Sequence, residues 1–356
     1  MLDRVLTRRI ANAVANGGRF TSSNGAAATV LPGDLTAICD DARRRVVAYT
    51  GLTPATALPP AEAVERSAWI AANVESMGAM LDPLGDRVTG GLGVLRGPLR
   101  SAAGALISAE AGALTGYLSQ RVLGQYEFVL IDPASHPRLL FVAPNIGLAA
   151  ERLDADLEEL LTWIAFHEVT HAVQFAGVPW LRPHVAGLLR ELMASLEVDL
   201  DPRALLHMPV VRDVRERVDA LREGGLVAAL AGPGRRELLD RMQCVMAVIE
   251  GHAEHVMDVV GEPALPSLTE LRLALDRRRR ERSPLLALLE RLIGLDAKLR
   301  QYEMGKAFCD GIVSAGGPAA LHRVFEGPHQ LPTLDELKDP VAWLDRVRAR
   351  AAPPSA

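Results

Sequence analysis

The stretch "LDADLEELLTWIAFHEVTHAVQFAGVP", Leu153–Pro179, decides how this chain is read. Leu153, Leu157, Leu160, Leu161 and Ile164 recur at helical spacing and form one apolar stripe. The pattern predicts a helix from about Leu153 to Gly177. Asp154 or Asp156 suits its first turn, and Gly177 and Pro179 mark its end. His167 and His171 fall three and seven residues after Ile164, so both continue the stripe and face the interior.

A buried imidazole needs a partner for each ring nitrogen. Histidines four apart on a helix lie on one face, and a shared metal ion satisfies one nitrogen of each. Glu168 follows the first histidine and points partly aside, where it can act on water rather than bind the ion. This is the HExxH arrangement of zinc hydrolases. Two satisfied core histidines are the competing reading of the pattern alone.

A catalytic zinc site takes a third protein ligand and keeps one open position. The best source is "VIEGHAEHVMD", Val248–Asp258. Glu250 sits within the apolar face formed by Leu239, Met246, Ala253 and Met257, where a carboxylate is costly unless paired or coordinated. Glu254 lies one turn further on and, with Asp258, is placed to orient ligands from behind. Glu250 is favoured. His252, Glu254 and His255 remain alternatives, as does a plain buried ion pair for Glu250 with an arginine.

The rest of the chain sets bounds. Its 356 residues allow one large or two modest domains, and 49% apolar with 23% charged residues is ordinary globular composition. Aromatics make up only 4%, so the core is built from Leu, Val and Ala, which favours helices. A net charge of −5 gives no general pull toward nucleic acid or anionic membranes. The run "DRRRRERS", Asp276–Ser283, carries no interleaved aromatics and reads as a solvated helix end. No apolar run is long and charge-free enough to span a bilayer. Cys39, Cys244 and Cys309 are odd in number and widely spaced, which fits a reduced cytoplasmic protein without a disulfide framework.

The predicted fold class is mainly α (α+β), with many helices and a small antiparallel hairpin beside the HExxH helix. The hairpin strands are "YEFVLI" (Tyr126–Ile131) and "RLLFVA" (Arg138–Ala143), joined by the turn-rich "DPASHP". Residues 35–123 read as helical, with a Gly/Ala-rich stretch suited to close helix packing. Further helices are expected at His184–Val198, Val210–Glu223, Arg235–Val260, Leu268–Arg280, Leu285–Ser314 and Ala319–Glu326. The chain divides into a helical N-terminal region (1–125), a core (126–330) and a C-terminal helix with a frayed tail (331–356).

Beyond these patterns, the chain carries a specific resemblance. "HEVTHAVQF" with "PWLR", the distant "EGHAEHVMD", and also "RVLGQYEFVL", "VAPNI", "RQYEMGKAF" and "LPTLDELKDPVAWLDRV" resemble a zincin-like metallopeptidase family common in actinobacteria. The resemblance covers the chain from about Trp69 onward. It implies a gluzincin-like Zn2+ site with His167, His171 and Glu250 as ligands and Glu168 as base. It also implies a long insertion before the third ligand, and for some branches a link to deazaflavin coenzyme biosynthesis.

Two further roles complete the expectation. The segment "LLFVAPNI" is a candidate edge strand for pairing with extended substrate, with Asn145 near the cleft. Tyr302, on one helix face with Lys298 and Lys306, is a candidate donor to the transition-state oxyanion, beside His252. The function expected is that of a zinc-dependent metallopeptidase acting on a peptide or protein. A zincin-shaped binding or scaffold protein is the alternative. Neither nucleic acid nor membrane is an expected partner, and oligomeric state is not readable.

Overall fold

The computed structural model describes residues 2–17, 31, 33–91, 98–127, 136–195, 233–280 and 295–351. The expected Val210–Glu223 helix lies outside them. So do residues 285–294 of the expected Leu285–Ser314 helix and 128–131 of the first hairpin strand. The described elements, in chain order, are α1 (Arg4–Ala15), α2 (Leu35–Thr50), β1 (Ala61–Val64), α3 (Arg66–Gly91), α4 (Pro98–Ser119), β2 (Gly124–Glu127), β3 (Arg138–Val142), α5 (Ala143–Leu153), α6 (Leu157–Gly177) and α7 (Leu181–Ser195). They continue with α8 (Pro233–Gly261), α9 (Leu268–Arg280), α10 (Leu295–Gly316), α11 (Pro318–His322), α12 (Leu334–Lys338) and α13 (Pro340–Ala351). The protein is mainly α with one small sheet, as its composition requires. No described helix is long and apolar enough to cross a membrane.

The chain forms two compact units. One gathers the described residues of Met1–Asp41 and Pro59–Glu168; the other gathers those of Ala42–Leu58, Val169–Ser195 and Leu206–Ala356. The division falls within α6, a single continuous helix.

In the first unit, the side chain of Asp3 caps α1 by accepting from the amides of Val5 and Leu6, each at 3.0 Å. Small residues let α1 and α4 approach closely, since a Cβ on Gly116 would lie 2.4 Å from the carbonyl oxygen of Ala11. Ala11, Trp69, Ile70, Val74, Leu140 and Val142 form one buried cluster, joining α1, α3 and β3.

The sheet corrects the sequence reading. "AEAV", read as helix, is strand β1 and pairs in parallel with β3, while β2 pairs with β3 antiparallel in the expected hairpin sense. The order is β1-β3-β2. Central β3 therefore has both edges filled and cannot be the substrate edge strand expected of "LLFVAPNI". The edges are β1 and β2. Val142 N–H donates to Leu123 O at 2.8 Å. In the β2–β3 register this turns the main-chain groups of Gly124 and Tyr126 away from β3.

Asn145 is corrected as well. It stands on α5, beyond the strand, and is 3% exposed. Its amide donates to the carbonyls of Ser119 and Val122 at 2.8 and 2.7 Å, and its oxygen accepts from Arg66 Nε at 2.6 Å. The side chain is spent on satisfying carbonyls around the end of α4, which is a structural task.

In the second unit, α8 and α10 cross where Gly251 meets Gly305. A Cβ on Gly251 would lie 2.1 Å from the Gly305 carbonyl carbon, so only glycine permits the crossing. Tyr302 lies on α10, but its side chain is outside the described residues.

Candidate metal centre

Helix α6 starts at Leu157, four residues later than the stripe suggested. Asp156 caps it, with Oδ1 accepting from the amides of Glu158 and Glu159, both at 2.9 Å. Those two glutamates also complement the positive end of the helix dipole. Asp154 instead ends α5 in the left-handed conformation, at φ 51°. Leu160, Leu161 and Ile164 are buried as the stripe required. Beyond them Ala165, Phe166, Val169, Ala172 and Val173 are buried too, so this half of the helix is enclosed on all sides.

On that enclosed half the donor atoms of His167, His171 and Glu250 lie within 4.8 Å of one another, a group that could hold a metal ion. His171 Nε2 is 3.5 Å from Glu250 Oε2. Two ligands of one tetrahedral zinc, each at about 2.0–2.2 Å from it, stand about 3.3–3.5 Å apart. Two imidazoles and one carboxylate match the donor types of a three-ligand zinc site. The residues present therefore fit the ion that the sequence pattern implied. Glu250 directly precedes Gly251, at the close crossing with Gly305.

A residue missed in the sequence reading orients the centre. Gln174 is fully buried, and its Oε1 lies 3.0 Å from His171 Nδ1. Its Nε2 donates to Ile249 O at 2.9 Å and meets His252 Nδ1 at 2.8 Å. Because the amide nitrogen must face the Ile249 carbonyl, the oxygen faces His171 and accepts its Nδ1 proton. The lone pair of His171 is then at Nε2, on the Glu250 side. Gln174 lies seven residues after His167 on the same helical face, and that spacing was the available signal.

The other histidines have different employment. His252 is 1% exposed, its Nδ1 accepts from Gln174, and its ring stands edge-on to Phe325 at 4.7 Å. Burial, with the nearby charges of His255, His322 and His171, pushes its pKa down to about 3, so it is neutral. His255 Nε2 meets the Tyr49 hydroxyl at 2.7 Å, and its Nδ1 meets Asp310 Oδ1 at 2.6 Å. Both of its ring nitrogens are engaged. Asp258, expected behind the ligands, pairs instead with Arg272 and, at 3.1 Å, with Lys306. It anchors a cation network that Lys306 extends to Asp310 at 2.6 Å. Glu254 is half-buried one turn beyond Glu250. The cysteines are buried, and burial pushes the thiols of Cys39 and Cys244 up to about 12.

Glu168 is 7% exposed and faces the strand edge that β2 turns away from β3. Its Oε2 accepts the Tyr126 main-chain N–H at 2.7 Å. A Cβ on Gly124 would lie 2.7 Å from Glu168 Cγ and 2.9 Å from Ile164 Cγ2, so glycine lets β2 lie directly against α6.

The family described as zincin-like metallopeptidase matches residues 2–344. A crystal structure from Chloroflexus aurantiacus, described as a candidate hydrolase with a novel fold, superimposes with a TM-score of 0.70 at 27% identity. The match covers 98% of this chain and 99% of that one. No curated protein matches the chain.

Proposed function

Because the chain belongs to the zincin-like metallopeptidase family, we propose that it is a zinc-dependent hydrolase that cleaves peptide bonds at the centre formed by His167, Glu168, His171 and Glu250. The observation that carries this reading is the grouping of two imidazoles and one carboxylate within 4.8 Å. In it a ring nitrogen of His167, Nε2 of His171 and a Glu250 carboxylate oxygen would hold the ion. Zinc in such a site supplies Lewis acidity, which acidifies water and polarises a carbonyl.

The remaining chemistry belongs to the chain. Glu168 is the base: it takes the proton of the attacking water and passes it to the leaving amine. The Tyr126 amide donates to Oε2 of that carboxylate at 2.7 Å and so helps to hold its orientation. Burial of Glu168 beside the strand keeps bulk water from competing for it. The outward main-chain N–H of β2 at Tyr126 is taken by Glu168, so this strand serves to position the base. To Tyr302 we assign, from the sequence alone, the role of donor to the developing oxyanion.

The test is cleavage of a peptide library by the zinc-loaded wild type and by Glu168→Gln. Cleavage lost by at least about a hundredfold in the variant, with zinc content unchanged, supports the reading. Equal cleavage by both proteins, or none by either, contradicts it.

A further inference from the structure

We propose that a cavity beside β2 is a binding pocket for a basic side chain, with Glu127 as the group that pairs with its cation. As a statement about substrate this rests on the peptidase reading; as a binding site it does not.

The cavity has a volume of about 330 Å³ and lies wholly within one unit. That is the small end of ligand sites, suited to one long side chain rather than a whole ligand. Trp69 and Met77 of α3, Leu114 and Leu118 of α4, and Gln125 and Glu127 of β2 line it. Among the described lining residues there is no lysine or arginine. Leu114 is 40% exposed, an apolar surface suited to the methylene stem of lysine or arginine.

Its polar groups are unevenly satisfied. Asn73 and Gln125 bond to each other through both amides, at 3.3 and 3.2 Å, and so offer little to an occupant. Glu127 is only 8% exposed, and its Oε1 accepts from the Ser76 hydroxyl at 2.6 Å. Its cross-strand partner Arg138 gives its hydrogen bonds to both oxygens of Glu62, at 3.0 and 2.6 Å, and reaches Glu127 only through its charge. A carboxylate has about four acceptor positions, and a buried one is costly until a cation or several donors reach it. Trp69 is 5% exposed and buries an indole N–H with no acceptor among the described residues. A pocket with a buried carboxylate, an unsatisfied donor and an apolar rim suits a basic side chain whose own main-chain carbonyl meets the indole.

The position connects pocket to chemistry. Tyr126 lines the cavity, and its N–H holds Glu168. A basic side chain seated there belongs to a residue close to the cleaved bond.

The test uses the metal-free full chain and follows the Trp69 indole N–H resonance, assigned with Trp69→Phe. Acetyl-arginine amide is expected to move it saturably, and acetyl-norleucine amide to bind at least about tenfold more weakly. Glu127→Gln is expected to lose that preference while keeping the norleucine response, and Glu127→Asp to retain it. No saturable shift, equal binding of the two probes by wild type, or an arginine preference intact in Glu127→Gln would overturn the proposal. Since no metal is needed, its failure is distinct from failure of the zinc reading.

Discussion

Gln174 accepts the Nδ1 proton of His171 at 3.0 Å while its amide nitrogen is fixed by Ile249 O at 2.9 Å. One amide thus ties the HExxH helix to the helix that carries Glu250, and sets which nitrogen of His171 is available. Replacing Gln174 by Leu removes the hydrogen bond and keeps the volume. Zinc affinity, measured by chelator competition, is expected to fall about 10–100-fold. An unchanged affinity would show that His171 is oriented by other contacts.

The contact of Gly124 with Glu168 makes a second prediction. Gly124→Ala puts a methyl 2.7 Å from Glu168 Cγ and 2.9 Å from Ile164 Cγ2. Both belong to a packed helix, so the strand must move. Overpacking of this kind costs about 1–3 kcal/mol, read by denaturant unfolding. Turnover is expected to fall as well, because the Tyr126 amide moves with the strand.

Two helix glycines give opposite outcomes from one substitution. Gly251→Ala meets main-chain atoms of Gly305 at 2.1 Å and Lys306 at 2.5 Å, which cannot rotate away. A loss of about 3 kcal/mol or more is expected, along with disturbed zinc binding through Glu250. At Gly187 in α7 an added methyl would meet nothing within 4 Å, so Gly187→Ala is expected to stabilise by about 0.5–1 kcal/mol. Denaturant midpoints of the two variants check the contrast.

Asp310 supplies a pH dependence. Burial alone raises its pKa, but the hydrogen bonds from His255 and Lys306 outweigh that and hold the carboxyl below its usual range. A depressed folded-state value means stability present above the ordinary carboxylate pKa and lost as pH falls through the folded one. Asp310→Asn is therefore expected to melt below wild type at neutral pH and to converge with it in acid, below the usual carboxylate range. Melting curves across that range test the sign; a gap that persists in acid would contradict it.

What the sequence made legible follows the range of the forces involved. Helix α6 was readable because its stripe and Asp156 cap are local, and His167, Glu168 and His171 came with it. Glu250 was readable because a lone carboxylate on an apolar face needs a reason. Strand β1 was not: "AEAV" has weak strand preference and becomes a strand only by pairing with β3, far along the chain. Asn145 was expected near the cleft beside the strand, yet tertiary packing turns it onto carbonyls around the end of a distant helix. Asp258 had the right spacing for a ligand's support, but Arg272 and Lys306 reach it first. Gln174 is the reverse case, a neutral residue whose role appears only when α8 arrives beside α6.

The central claim is that His171 and Glu250 share one zinc ion with His167. The most direct measurement is metal content, by mass spectrometry of the purified full chain and of its His171→Ala and Glu250→Ala variants. One zinc per chain is predicted for wild type and well under one for each variant, with circular dichroism unchanged. A wild type that holds no zinc even when it is supplied, or variants that keep a full equivalent, would contradict it.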